Sequence, residues 1–283
     1  MNSPLDSSMT FLISCGAVCV TKPKQRVGTM TQLTRTKINN EEWWLEHNMI
    51  PHFNCPHLEK LGGKGHEGTK FVCNPQRLVH DDDDKNANDH NGHKKKKDCL
   101  IYSVVCGGNG GDFLFEDAIY EMHGKGCETH IFDPADWTRK GDVENKNIHY
   151  HAWGIKSSYD AQSKSIIWPA GRRGDLKTFQ ETLKRLGHEN RTIDIFKIDC
   201  EGCEYSTHKD WIGFGARQIL LEIHGVPQPQ GGTGRWYQKA MNVSEYYKDF
   251  LDNGYALFSR DPNGALGLEL SFIKLHQDFW KRN

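Results

Sequence analysis

From residue 99 onward, the hydrophobic positions of this chain fall into two alternating patterns. Short, nearly unbroken apolar runs occur at LIYSVVC (100–106), ETHIFDP (128–134), IHYHAWGI (148–155), TIDIFKID (192–199) and RQILLEIHG (217–225). Runs of this length, rich in β-branched and aromatic residues and bounded by Gly, Pro or Asp, predict buried strands. Between them lie segments with helical spacing: FLFEDAIYEMHGKG (113–126), LKTFQETLKRLG (176–187) and SEYYKDFLDNG (244–254). Each closes on a glycine, a helix-stop residue, and Ser244 is placed to cap the third. YALFSRDPN (255–263) and LELSFIKL (268–275) predict a closing β-hairpin. Strands alternating with helices predict an α/β fold with a mostly parallel, doubly wound sheet. The closing hairpin should add an antiparallel strand at one side.

The first 98 residues lack this alternation. Met9 to Val20 is an apolar run of twelve, short for a bilayer span and about the length of a signal-peptide core. No Lys or Arg precedes it and Asp6 does, so residues 1–38 read as a disordered tail or a truncated targeting segment. Residues 39–79 read as an accessory segment. In it, Asn39 to Leu45 has the cap and first-turn acids of a helix start, and Cys55 to Cys73 encloses a Gly-rich turn that leads to a short strand. Residues 80–98, HDDDDKNANDHNGHKKKKD, cannot build a core and read as a solvated loop, with His80, His90 and His93 as weak metal donors at most. The main domain is then 99–283.

Composition narrows the function classes. A chain of 283 residues with net charge −1 offers no global electrostatic case for nucleic acid. Membrane association is left to the N-terminal run alone. Nine cysteines is an odd and scattered set from which no disulfide framework can be read, so cytoplasm and secretory-pathway lumen both stay open.

Ligands of doubly wound sheets bind at the carboxyl ends of the strands, and that is where the chemistry of this sequence collects. After the first strand comes Cys106-Gly107-Gly108-Asn109-Gly110-Gly111-Asp112, whose glycines permit close backbone approach to a ligand. Asp133 ends the second strand, 26 residues beyond Gly107, where an acid can accept from both ribose hydroxyls of a nucleoside. Trp153 and Gly154 on the third strand offer an apolar wall for a purine. The fourth ends in Asp199, Glu201 and Glu204, the fifth in Glu222 and His224. Cys200 and Cys203 also form a C-x-x-C pair. A structural zinc site wants a second such pair, and none repeats, so the spacing reads as a coincidence with thiols standing in as small apolar side chains. No set of residues is assigned as metal ligands, and a divalent metal stays open.

CLIYSVVCGGNGGDFLFEDAIYEMHGKGCETHIFDP resembles the opening motif of class I S-adenosylmethionine-dependent methyltransferases. LGHENRTIDIFKIDCEGCEY is similar to the K-x-D-x-E-G-x-E signature of their FkbM-type branch, and RQILLEIHG, YALFSRDPN and CPHLEKLGGKGHEGTKFVCNP to the methyltransferase-like protein 24 group within it. The resemblance implies a Rossmann-like class I methyltransferase fold and S-adenosyl-L-methionine as cofactor. It implies that Gly107, Gly108, Asn109 and Asp112 face the methionine part and Asp133 the ribose. Asp199 would sit beside both cofactor and acceptor, with Glu201 and His224 as further catalytic groups. The loop departs from the family pattern in an extra Gly-Gly pair and in Cys106 where an acid usually stands.

The expected activity is O-methylation of a sugar or other small hydroxylated acceptor, a small molecule or a glycan. Three rivals remain: a non-catalytic cofactor-binding Rossmann protein, a nicotinamide-dependent oxidoreductase, and a zinc or redox protein using Cys200 and Cys203. Residues 228–244, with Arg235, Trp236 and Tyr237, are a candidate lid.

Overall fold

Alternation along each strand decides what each face of the sheet meets. The computed structural model describes residues 49–63, 68–79, 99–105, 113–134, 147–159, 165–167, 173–200, 203–224, 243–263 and 267–280. A hairpin of β1 (Leu58–Leu61) and β2 (Lys70–Cys73) comes first. β3 (Cys99–Val105) and β4 (Cys127–Phe132) flank helix α1 (Leu114–His123), and β5 (Ile148–His151) follows. β6 (Trp153–Lys156), β7 (Ser165–Ile167) and β8 (Arg173–Thr178) form a small separate sheet in the order β6-β8-β7. Helix α2 (Phe179–Leu186) leads to β9 (Ile195–Asp199), and α3 (Cys203–Trp211) to β10 (Gln218–His224). Helix α4 (Val243–Asp252) precedes the hairpin of β11 (Tyr255–Asn263) and β12 (Gly267–Lys274), and α5 (Gln277–Trp280) is one turn.

The large sheet has the order β11-β12-β10-β9-β3-β4-β5. β5, β4, β3, β9 and β10 are parallel, while β12 is antiparallel to both β10 and β11. The chain winds outward from β3 to β5, then crosses back to β9 and winds the other way. The switch point thus lies between β3 and β9. This is the doubly wound sheet and closing hairpin that the alternation predicts.

Both faces of the sheet are covered, which is why its strands read as continuous apolar runs. On one face Ile101, Ile195 and Leu220 pack with Phe115 and Ile119 of α1 and with Leu61 and Val72 of the first hairpin. On the other, Tyr102, Phe196, Ile198 and Leu221 pack with Phe179 and Leu183 of α2, Trp211 of α3, and Tyr246 and Phe250 of α4.

Three boundaries differ from expectation. The run 148–155 is two strands in two sheets, β5 and β6, parted at Ala152. The helix expected over 176–187 starts at Phe179. Thr178 caps it, accepting from the Glu181 amide at 3.1 Å while Glu181 accepts from the Thr178 amide at 2.7 Å, so the residues before it stay extended in β8. Ser244 lies inside α4 rather than ahead of it.

Among the described residues three disulfides are present: Cys55–Cys73, Cys99–Cys127 and Cys200–Cys203. The last corrects the reading of that C-x-x-C as a coincidence of spacing. The turn from β9 into α3 brings the two Cα atoms to 5.3 Å, within disulfide range. Among the described residues, no helix is long and apolar enough to cross a membrane.

Candidate active site

β3, β9 and β10 end together at one edge, and β9 and β10 carry acids there on one face. Alternation puts Ile195, Lys197 and Asp199 of β9 on the face of Leu220 and Glu222 of β10. Across the antiparallel pair, Glu222 stands opposite Glu269 of β12. Three carboxyl groups therefore converge on one side of the sheet, a costly arrangement without a counter-charge.

The first hairpin supplies that charge. Lys70 is 1 % exposed, and its Nζ lies 2.6 Å from Glu269 Oε1, 3.2 Å from Glu222 Oε2 and 3.4 Å from Asp199 Oδ2. The hairpin is pinned where this requires. The Cys73 amide donates to Gln218 Oε1, Gln218 Nε2 donates to the Cys73 carbonyl, both at 2.8 Å, and the Cys55–Cys73 disulfide closes the base. Ser271 Oγ donates to the Phe71 carbonyl at 2.9 Å. At the turn, Gly62 has φ +106°, and a Cβ there would stand 2.8 Å from the Gly68 carbonyl oxygen. Glycine is what lets the hairpin close.

Burial pulls the Lys70 ammonium toward neutrality, but Asp199, Glu269 and Glu222 together more than offset it, and Lys70 is held above its ordinary value. Burial pushes Glu269 up to about 9 against the pull of Lys70, with Glu222 reinforcing the rise. Burial likewise raises Asp199, with Lys70 opposing and Glu222 reinforcing. A carboxyl poised this way is a better proton acceptor than a solvated one. Two positions earlier, Lys197 meets Glu116 of α1 at 3.2 Å, and Ser103 Oγ donates to the same carboxylate at 2.5 Å.

Asp133 directly follows β4 and is 3 % exposed. Its amide donates to the His151 carbonyl at 3.0 Å. Pro134 behind it lodges against Gly154 and Gly174. A Cβ on Gly154 would stand 3.0 Å from the Pro134 ring, and one on Gly174 2.1 Å from the Pro134 carbonyl oxygen. Packing on Pro134 is thus what Gly154 does in this structure. Trp153 packs on His151 at 4.4 Å between ring centroids, with Lys177 and Arg185 each 5.2 Å from its own centroid. Glu204 does not stand with the strand-end acids. It lies in the first turn of α3, fully buried, where Tyr246 donates to its carbonyl at 3.3 Å. His224 is the last residue of β10, with its side chain outside the described set. Gly107, Gly108, Asn109, Asp112, Glu201 and the candidate lid 228–242 also lie outside it.

Lys70 and Glu269 were not legible as site residues. The available signal was a lone lysine at the start of a short apolar strand; nothing in the sequence showed that Glu269 would stand opposite Glu222.

The chain matches the model of the Methyltransf_22 family, described as a methyltransferase domain, over residues 22–274. A comparison with curated proteins gives no significant match. Among solved structures, similarity extends to the S-adenosylhomocysteine-bound form of CalO1, a methyltransferase in calicheamicin biosynthesis (15 % identity, TM-score 0.31, 63 % of this chain). It also extends to the mitomycin 7-O-methyltransferase MmcR (10 %, 0.28, 63 %) and to NcsB1, an O-methyltransferase from neocarzinostatin biosynthesis (11 %, 0.23, 62 %). The match spans 49 % of each of those chains. The family match overturns one expectation: the model that fits is Methyltransf_22, not the FkbM-type branch or the methyltransferase-like protein 24 group placed within it. With its Rossmann-like class I methyltransferase sheet and a family match over nearly its whole length, the chain belongs to the methyltransferase-domain family Methyltransf_22.

Proposed function

We propose that this protein is an S-adenosylmethionine-dependent methyltransferase that O-methylates a small hydroxylated acceptor, a sugar or glycan hydroxyl included. One observation carries the reading: a buried carboxyl cluster, Asp199 with Glu222 and Glu269 around Lys70, stands at the ligand-binding edge of a methyltransferase-family sheet. The cofactor supplies an electrophilic methyl group on a sulfonium sulfur. The protein's share is to bind, orient and take a proton. Asp133, buried at the end of β4, fits a ribose diol. Asp199, raised by burial and 9 % exposed at the end of β9, fits the acceptor's hydroxyl proton. Lys70 is a positioning residue that keeps the carboxyl group in place and balances its charge. Three disulfides support folding in an oxidising compartment, so we place the reaction in the secretory-pathway lumen rather than the cytoplasm.

The test is S-adenosylhomocysteine release over a panel of sugars and phenols, beside calorimetric binding of S-adenosylhomocysteine and of NAD. Asp199→Asn should lower turnover at least about 100-fold with cofactor affinity kept. Asp133→Ala should weaken cofactor binding roughly tenfold or more. Full turnover by Asp199→Asn, or tighter binding of NAD than of S-adenosylhomocysteine, would sink the proposal.

A further inference from the structure

We infer a transition-metal site formed by Glu128, His130 and His149 on the face of the sheet opposite the carboxyl cluster. The placement follows from strand geometry. Glu128 and His130 are two apart on β4 and share a face, and His149 of β5 is the register partner of His130. One donor atom from each of the three lies within 4.8 Å of the other two. A carboxylate with two imidazoles suits zinc, cobalt or nickel, whereas calcium and magnesium take oxygen donors.

The surroundings are those of a ligand set. His130 Nδ1 lies 2.8 Å from His151 Nε2, which orients the ring and leaves Nε2, 2.7 Å from Glu128 Oε1, as the ligand nitrogen; bound metal would replace that hydrogen bond. Arg191 grips the other Glu128 oxygen at 2.7 Å. Such outer partners fix ligand orientation. His149 Nε2 lies 3.3 Å from Asn147 Oδ1. The Asn147 amide is oriented by Nδ2, which donates to the carbonyls of Lys125 at 3.4 Å and Cys127 at 3.1 Å. Its oxygen can only accept, so His149 carries its proton on Nε2 and keeps the lone pair on Nδ1. Two ligands of one zinc ion sit at most about 4.2 Å apart. A small turn of His149, exposed on the edge strand, closes the set. His188 Nε2 lies 3.6 Å from Glu128 Oε1 and accepts from Arg191 at 2.9 Å, so it belongs to the surroundings of the set. Bound metal would tie edge strand β5 to β4, a role independent of methyl transfer.

The experiment uses the full, untagged chain titrated with Co(II), read by visible absorption, and with Zn(II) in competition. One equivalent should bind at micromolar concentration or tighter. His149→Ala, an exposed change with its fold checked by circular dichroism, should weaken binding at least about tenfold, and Glu128→Gln should do the same. A chain with His80→Ala, His90→Ala and His93→Ala together should keep the site. The inference is overturned if the wild-type chain shows no saturable binding. It is equally overturned if His149→Ala and Glu128→Gln both bind unchanged, or if only the triple variant loses the metal.

Discussion

Two polar clusters, one buried and one partly exposed, lie on opposite faces of one sheet, and they solve the same problem in opposite ways. The carboxyl cluster draws Lys70, Asp199, Glu222 and Glu269 from four segments spread over 200 residues, and it is balanced by a cation. The histidine cluster draws Glu128, His130, His149 and His151 from two neighbouring strands, with Tyr102, His188 and Arg191 behind them. Its carboxylate, Glu128, pairs with Arg191 at 2.7 Å, and two of its imidazoles are held neutral. Burial holds His151 down to about 3 and His188 down to about 4, with neighbouring positive groups adding to the effect. Glu128 is pulled down to about 2, chiefly by its hydrogen bond to His130, with Arg191 helping. One face therefore depends on a long-range charge, the other on a local hydrogen-bond ladder.

Removing the charge should have the largest effect. Lys70→Met leaves three buried carboxyls without their cation and should cost about 3–5 kcal/mol in chemical denaturation. Adding Glu269→Gln should recover part of that loss, because one burdened carboxyl is gone. If Lys70→Met alone is as stable as wild type, the two clusters do not differ as described.

pH should separate the faces next. His151 has a folded pKa below its unfolded value, so its stability is present above about 6.5 and lost as pH falls toward 3. Over two pH units this is at most about 2.7 kcal/mol, and about half that once partial exposure is allowed for. Glu269 has a folded pKa above its unfolded value. Its contribution is full below about 4.5 and is lost as pH rises through about 9, on the order of 2 kcal/mol between pH 6.5 and 8.5. A stability profile should show both limbs. His151→Asn should flatten the acid one and Glu269→Gln the alkaline one. If both limbs moved with the same variant, the faces would be coupled.

The smallest effect sharpens the local side. Tyr102 is buried with its hydroxyl 2.8 Å from His188 Nδ1. Tyr102→Phe removes one hydrogen bond and should cost about 1 kcal/mol in thermal or urea unfolding. It should leave cofactor binding unchanged.

Much of the frame was legible in advance. Asp133 and Asp199 were placed at strand ends because a strand's length and its bounding residues are read from a few neighbours. The β5–β6 break was not legible, since an apolar run looks the same whether or not it leaves the sheet at Ala152. The Cys200–Cys203 bond was missed because spacing alone does not show where a turn brings two Cα atoms. The histidine ladder had a local signal, Glu128-x-His130 and His149-x-His151 at the two-residue period of a strand. Lys70 had almost none.

By itself the sequence did not show β7, β8 or α3, but it determined the parallel strands of the large sheet, helices α1, α2 and α4, the sheet's buried character and the placing of Asp133 and Asp199 at strand ends. These follow from the periods of 2 and 3.6 residues, which local side chains express. Only the tertiary structure decided that Lys70 of the N-terminal hairpin sits among Asp199, Glu222 and Glu269. It alone set β12 between β10 and β11, bringing Glu269 opposite Glu222. The physical reason is that a buried charge is satisfied by whatever the fold brings within a few ångströms, and proximity in space leaves no period in the chain.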